Sequence, residues 1–160
     1  MPATLFLTCG IQSSGKTTLA RRLEVEHAAL RLTADEWLHD LYPDVSDAQP
    51  DNLRDRVEQL QWVTALRVLA LGGNVVLDWG LWAREERDRY RSEAQALGAK
   101  VVLCLLEPSK QQLLDRLRAR NAAPPWGTFR ISDEQFEQAW AFFQRERPTP
   151  DELALFDPMP

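Results

Sequence analysis

Gly10-Ile11-Gln12-Ser13-Ser14-Gly15-Lys16-Thr17 fits the pattern G-x-x-x-x-G-K-[ST]. Those residue types at that spacing grip a phosphate chain. The two glycines let several backbone N–H groups converge on one anion. Lys16 reaches β- and γ-oxygens, and the Thr17 hydroxyl is placed for a magnesium ion. A chance match in a chain of this length is on the order of one in a few hundred by average residue usage. The flanking residues pass the context test as well, since an apolar run precedes the loop and a helical pattern follows it. These residues predict a site for a nucleoside triphosphate with Mg²⁺, with Gly10, Gln12, Ser13, Ser14, Gly15, Lys16, Thr17 and Thr18 around the phosphates.

Other side chains with chemical capacity cluster just past apolar runs. Asp78 follows Asn74 to Leu77, the position of a Walker-B-like carboxylate, where it would hold magnesium through water, bind substrate, or merely cap the chain end. Asp35 follows the run that ends at Leu32, and the bland alternative is that Thr33 or Asp35 caps a short helix. Arg116 and Arg120 lie one helical turn apart and share a face, and with Arg130 they flank a loop carrying Pro124, Pro125 and Gly127. Exposed arginines on a solvated face are the alternative for these, and also for Arg84 and Arg87, which open the charge-rich helix after Asp78 and are placed to bind substrate or phosphate. Trp37, Trp79 and Trp82 fall just beyond strand ends, and Trp126 lies in the Pro-Gly loop. Together they suggest an apolar or stacking wall for a second substrate, against the alternative of ordinary packing. Trp62 and Trp140 sit on helical patterns and read as core.

The elements that must position these residues alternate in type. Leu5 to Thr8 reads as a strand, Thr17 to His27 as a helix with Leu19, Ala20, Leu23 and His27 on one side, and Ala29 to Leu32 as a second strand. A short helix spans Ala34 to Leu41 and stops at Pro43. The polar, Pro-containing stretch Asp44 to Asp51 reads as a mobile loop. Asn52 to Leu71 is a long helix with Val57, Leu60, Val63, Ala65, Leu66 and Leu69 as its expected inner face, ended by Gly72-Gly73. A third strand at Asn74 to Leu77, a helix from Arg84 to Leu97 and a fourth strand at Lys100 to Leu106 follow. Ser109 with Gln112 and Ser132 with Gln135 have the spacing of capping boxes for two further helices, ending near Asn121 and Glu146. The tail after Pro148 is expected to wrap the surface. Unbroken apolar strands alternating with helices predict an α/β fold, a three-layer α/β/α sandwich with a mostly parallel sheet and its ligand at the carboxyl ends of the strands. One domain is expected over 1–160.

Composition narrows the function classes. The 160 residues are 44% apolar and 27% charged, as in soluble globular proteins. No apolar run approaches the roughly 20 residues of a membrane span, and Met1 to Leu7 lacks a basic leader, so the expected location is the cytoplasm. Two histidines and two separated cysteines cannot by themselves build a zinc site, and Cys9 and Cys104 read as buried free thiols. A net charge of −5 argues against a large nucleic-acid footprint. The guanine-reading Asn-Lys-x-Asp segment of switch GTPases is missing after the fourth strand, where Glu107-Pro108-Ser109-Lys110 stands instead. The chain is also shorter than most motor and helicase ATPases.

Three segments then carry a more specific resemblance: Gly10 to Thr18, Thr33-Ala34-Asp35-Glu36, and Val75 to Trp82 with the arginine-rich helix behind it. Gly127-Thr128-Phe129-Arg130-Ile131 adds to it. The chain resembles the small bacterial P-loop kinases of the zeta-toxin, chloramphenicol phosphotransferase and polynucleotide-kinase type, and most closely the AAA-type predicted kinases that grade into them. The resemblance implies that Asp35 sits beside the magnesium and takes the proton of the acceptor hydroxyl. It also implies a lid around 116–131 whose Arg116, Arg120 and Arg130 meet the phosphates. Thr17, Asp35 and Asp78 would then face the metal, with Asp35, Trp37, Asp78, Trp79, Trp82 and Arg84 toward the acceptor. The expected activity is γ-phosphoryl transfer from ATP to a hydroxyl of a small molecule, a metabolite or an antibiotic, by a monomer with no membrane or nucleic-acid partner. The alternatives are a polynucleotide 5′-hydroxyl or nucleoside/nucleotide kinase, and an ATP-binding regulatory or toxin-like module. The polynucleotide resemblance would place an arginine three residues after the base, where this chain has Leu38.

Overall fold

The computed structural model describes residues 1–44 and 51–160. Most of the stretch read as a mobile loop, residues 45–50, lies outside the described residues. Four strands, β1 (Thr4–Cys9), β2 (Ala29–Leu32), β3 (Asn74–Leu77) and β4 (Lys100–Leu105), form one parallel sheet in the order β2-β3-β1-β4. Leu5, Phe6 and Leu7 of β1 stand opposite Val75, Val76 and Leu77 of β3, and opposite Val101, Val102 and Leu103 of β4.

Strand alternation splits these residues between two apolar layers. Leu5, Leu7, Val75, Leu77 and Val101 face one core with residues of α2 (Ala34–Leu41), α3 (Asp51–Ala70) and α4 (Arg84–Ala96). Phe6, Val76, Val102 and Cys104 face the other with Ala20 and Leu23 of α1 (Lys16–Glu26). A third cluster, at the carboxyl end of β1, packs Cys9 and Ile11 against Leu113 and Leu117 of α5 (Lys110–Ala122) and Phe136 and Phe143 of α6 (Asp133–Glu146). The result is the expected α/β/α sandwich. Both cysteines are buried and free. No helix among the described residues is long and apolar enough to cross a membrane.

The expected caps are present. Ser109 accepts from the Gln112 N–H at 3.2 Å and Ser132 from the Gln135 N–H at 3.1 Å, with each glutamine side chain returning the bond.

Two expectations need correction. On α3, Leu60 and Val63 point to solvent, 59% and 52% exposed. Val57, Ala65 and Leu69 are buried as expected and Gln61 and Trp62 complete the stripe, because the four-residue spacing 57–61–65–69 and the indole of Trp62 turn Leu60 and Val63 away from the core. Gln61 is tolerated inside since its carbonyl accepts the Trp79 indole N–H at 2.9 Å. The tail, in turn, is more than a surface strap. Thr149 caps a short helix, α7 (Pro150–Leu153), and Glu152 is buried.

Candidate active site

β1 delivers the chain to Gly10 in an extended conformation, and the next residues curl back before α1 starts. Gly10 has no room for a side chain: a Cβ there would lie 2.7 Å from the Ser14 hydroxyl and 2.9 Å from the Leu106 carbonyl. Gly15 adopts φ +98 at the helix N-cap, a left-handed conformation that favours glycine, and Ser13 joins it at φ +64. The loop therefore presents its backbone to the start of α1, where helix N–H groups favour an anion. The Ser13 Oγ and Gln12 Oε1 atoms are buried without a hydrogen-bond partner.

Lys16 curls over this loop, donating to the Ile11 carbonyl at 2.7 Å. Burial depresses its ammonium to about 8, opposed by the nearby carboxylates of Asp78 and Asp35. At the other side of the loop three elements meet on one oxygen. Thr17, on the first turn of α1, donates to Asp78 Oδ2 at 2.8 Å, and Thr33, at the end of β2, donates to the same atom at 2.9 Å. Burial raises the Asp78 carboxyl above its usual range, while the two hydroxyls pull it back. Thr33 is the N-cap residue of α2 but makes no side-chain cap bond, so its hydroxyl serves Asp78 and not the helix.

Asp35 lies on the first turn of α2 and pairs with Arg54 of α3, 19 residues away. Arg54 also approaches Glu58 at 3.6 Å. Burial drives Glu58 up to about 7, Arg54 opposing the rise and Glu86 and Asp55 adding to it. Arg54 and Glu58 belong to no motif of their own. The signal for them was their phase: residues 54, 58, 61 and 65 share one helical face, so the stripe that buries Ala65 carries both charges inward about two and three turns earlier.

These groups line a single cleft of about 860 Å³. The phosphate loop from Gln12 to Thr18, Asp35, Asp78, Trp79, Trp82, Arg116, Arg120 and Trp126 all lie on its walls. Arg120 is half-buried, its Nε has no partner, and burial lowers its pKa, with Asp35 the opposing carboxylate. The segment between α5 and α6 folds over the cleft. The Thr128 carbonyl lies 3.0 Å from His39 Nε2, and Phe129 stacks on that imidazole at 4.4 Å.

Four residues expected near the chemistry are placed elsewhere. Trp37 packs against the main core, as the apolar face of α2 demands. Arg84 faces Asp88, its own i+4 neighbour, at 2.7 Å. Arg87 is fully buried beneath the cleft. Arg130 is exposed and does not line the cleft. Of the tryptophans on the wall, Trp79 is buried, Trp82 gives its N–H to the Gly10 carbonyl at 2.9 Å, and Trp126 is exposed.

Comparison with known proteins places this geometry. The family model AAA_33, described as an AAA domain, matches residues 5–146. No curated protein matches the chain. Among solved structures, a chain of the Pnkp1/Rnl/Hen1 RNA repair complex superposes with a TM-score of 0.74 at 16% identity, over 91% of this chain and 45% of that one. Kti12 from Chaetomium thermophilum in complex with ADP-AlF3 has a TM-score of 0.69 at 17% identity, over 92% and 82%. A sugar kinase from Janibacter sp. HTCC2649 has a TM-score of 0.66 at 17% identity, over 94% and 82%. These likenesses show a shared fold, one that a sugar kinase and a protein holding ADP-AlF3 also have.

Proposed function

The chain belongs to the AAA_33 family, and from that premise we propose that it transfers the γ-phosphoryl group of ATP to a hydroxyl of a small-molecule acceptor. One observation carries the reading: the phosphate loop with Lys16 and the carboxylate Asp35 open into the same cleft. The nucleotide phosphates lie along residues 10–18, with Lys16 turning from the Ile11 carbonyl to the β- and γ-oxygens. The acceptor occupies the end bounded by Asp35, Arg54, Trp79 and Trp82. Its oxygen bonds to the γ-phosphorus, the bond to the β–γ bridging oxygen breaks, and ADP leaves. The hydroxyl proton passes to Asp35, whose Oδ1 is gripped by Arg54 and whose Oδ2 takes the proton. Arg120, charged and without a carboxylate partner at its Nε, meets the charge that spreads over the transferred oxygens. We assign the segment 116–131 as a lid that excludes water while this happens.

A magnesium ion fits the residues present. Thr17 and Asp78 already share one oxygen contact at 2.8 Å, both donors are hard oxygens, and this ion binds through one or two carboxylates plus substrate phosphates. A cation there would also favour the charged form of Asp78 against the burial that opposes it. When bound, the ion neutralises charge on the phosphate oxygens.

A second reading, a polynucleotide 5′-hydroxyl kinase, draws support from Arg54. Leu38 stands where that resemblance wants an arginine, and Arg54 brings a guanidinium to Asp35 from another helix. The carboxylates of Asp55, Glu58 and Glu86 on the same wall oppose a polyanion, so the small-molecule reading is preferred. Incubation with Mg-ATP, pooled metabolites and antibiotics, and a 5′-hydroxyl oligonucleotide, followed by mass spectrometry, decides between them. Asp35→Asn is expected to keep nucleotide affinity and lose transfer by roughly 10²–10⁴-fold. Equal product from both proteins would remove Asp35 from the mechanism. ATP hydrolysis at equal rates with no phosphorylated product would leave a nucleotide-binding module.

A further inference from the structure

Arg87 is fully buried yet lies outside the cleft. Its Nε and Nη2 meet the two carboxylate oxygens of Glu152, itself buried, at 2.6 and 2.9 Å. The remaining donors go to main-chain carbonyls: Nη1 to Leu81 at 3.1 Å and Trp82 at 2.6 Å, and Nη2 to Glu146 at 2.5 Å. A guanidinium has five N–H groups in a rigid fork, and here the fork joins α4, α7, the end of α6 and the loop after β3.

That loop is the support of the phosphate loop. The Gly10 N–H donates to the Gly80 carbonyl at 3.1 Å, and the Trp82 indole N–H donates to the Gly10 carbonyl at 2.9 Å. Both main-chain groups of the first phosphate-loop residue are thus satisfied by residues 80–82. Between them Leu81 is held at φ +48, a conformation unfavourable for a non-glycine residue that persists only where surroundings enforce it. Its carbonyl is the one that accepts both Arg87 and the Cys9 thiol, the latter at 3.3 Å.

We propose that Arg87 and Glu152 are positioning residues of the nucleotide site, setting the phosphate loop through residues 80–82 although neither touches a ligand. The proposal rests on the reading that nucleotide binds at residues 10–18. It makes Glu152 of α7, 142 residues after the start of the loop it serves, part of the site. Backbone anion cradles tolerate errors of only about 0.5 Å, so loosening the support registers as lost affinity before the fold is lost.

The test must separate positioning from stability. Removing one partner leaves a buried charge unpaired, which by itself is strongly destabilising. Replacing both with apolar residues of similar volume is often neutral or stabilising. The informative protein is therefore Arg87→Met/Glu152→Leu, studied by thermal melting, by calorimetric titration with ADP, and by hydrogen exchange at the Gly10 amide without nucleotide. Expected are a melting temperature at or above wild type, ADP binding weakened about tenfold, and faster exchange at Gly10. Added to Trp82→Phe, the loss should be less than additive, because both changes cut the same connection. Unchanged ADP affinity and unchanged Gly10 exchange in the folded double variant would overturn the proposal, as would strict additivity. If the double variant does not fold, Glu152→Gln carries the same three measurements with a smaller expected loss. Failure of wild type to bind ADP would count against the nucleotide reading, while Gly10 exchange would still decide the connection.

Discussion

Lys16 combines a depressed pKa with a task that requires charge. Its ammonium is lowered to about 8 by burial in the protein without nucleotide. The unfolded chain then holds more protons than the folded one between pH 8 and 10.5, so this group's contribution to stability rises with pH across that window. Bound phosphate favours the protonated form and reverses the trend. ADP affinity should be flat below pH 7.5 and fall above 8 by at most about tenfold per pH unit, and Lys16→Met should show weak binding without that limb. Calorimetric titrations across pH 6.5–9.5 check both. At this scale the phosphate loop was legible because its residues are contiguous and each type has one use. Asp35 and Asp78 were legible from their places after strands. Arg54 and Glu58 were not, since their use depends on how α3 is rotated, and rotation follows from what Trp62 and Gln61 bury.

Among the elements, strands read most directly: all four apolar runs became strands within one residue of their expected ends. Hydrogen-bonding caps were equally readable, since Ser with Gln three residues on has few other reasons to recur. The inner face of α3 was legible at Val57, Ala65 and Leu69 but not at Leu60 and Val63, which look apolar whichever way they point. Paired measurements separate these cases. Ser132→Ala removes the cap of α6 and should cost about 1 kcal/mol, whereas Leu60→Lys, on the solvent side, should stay within about 0.5 kcal/mol. Urea titrations of the two variants give both values, and a large effect at Leu60 would mean that α3 buries that side after all. The helix α7 was also readable in retrospect, as Thr-Pro-Asp-Glu is a cap, a proline at the first turn and acidic residues at the helix start.

The molecule as a whole joins its two ends through the sheet and the site. The amide of Asp157 donates to the Val101 carbonyl at 2.8 Å and its carboxylate accepts the Val101 N–H at 2.8 Å, so the last residues extend the edge of β4. Such long-range closure cannot be read from local pattern, because nothing near Asp157 or Glu152 names its partner. The two buried thiols offer a way to watch that closure. Cys9 lies directly beneath the phosphate loop and is raised to about 12 by burial, and Cys104, in the opposite layer, to about 11. The thiolate is the reactive form, so neither sulfur reacts with an alkylating reagent until its surroundings part. Each cysteine is therefore a clock for its own layer, read by mass spectrometry of timed labelling. If Cys9 labels well before Cys104, and ADP delays Cys9 alone, the floor of the site opens by itself while the rest of the sheet stays shut. Equal rates would mean that the protein opens only as one body.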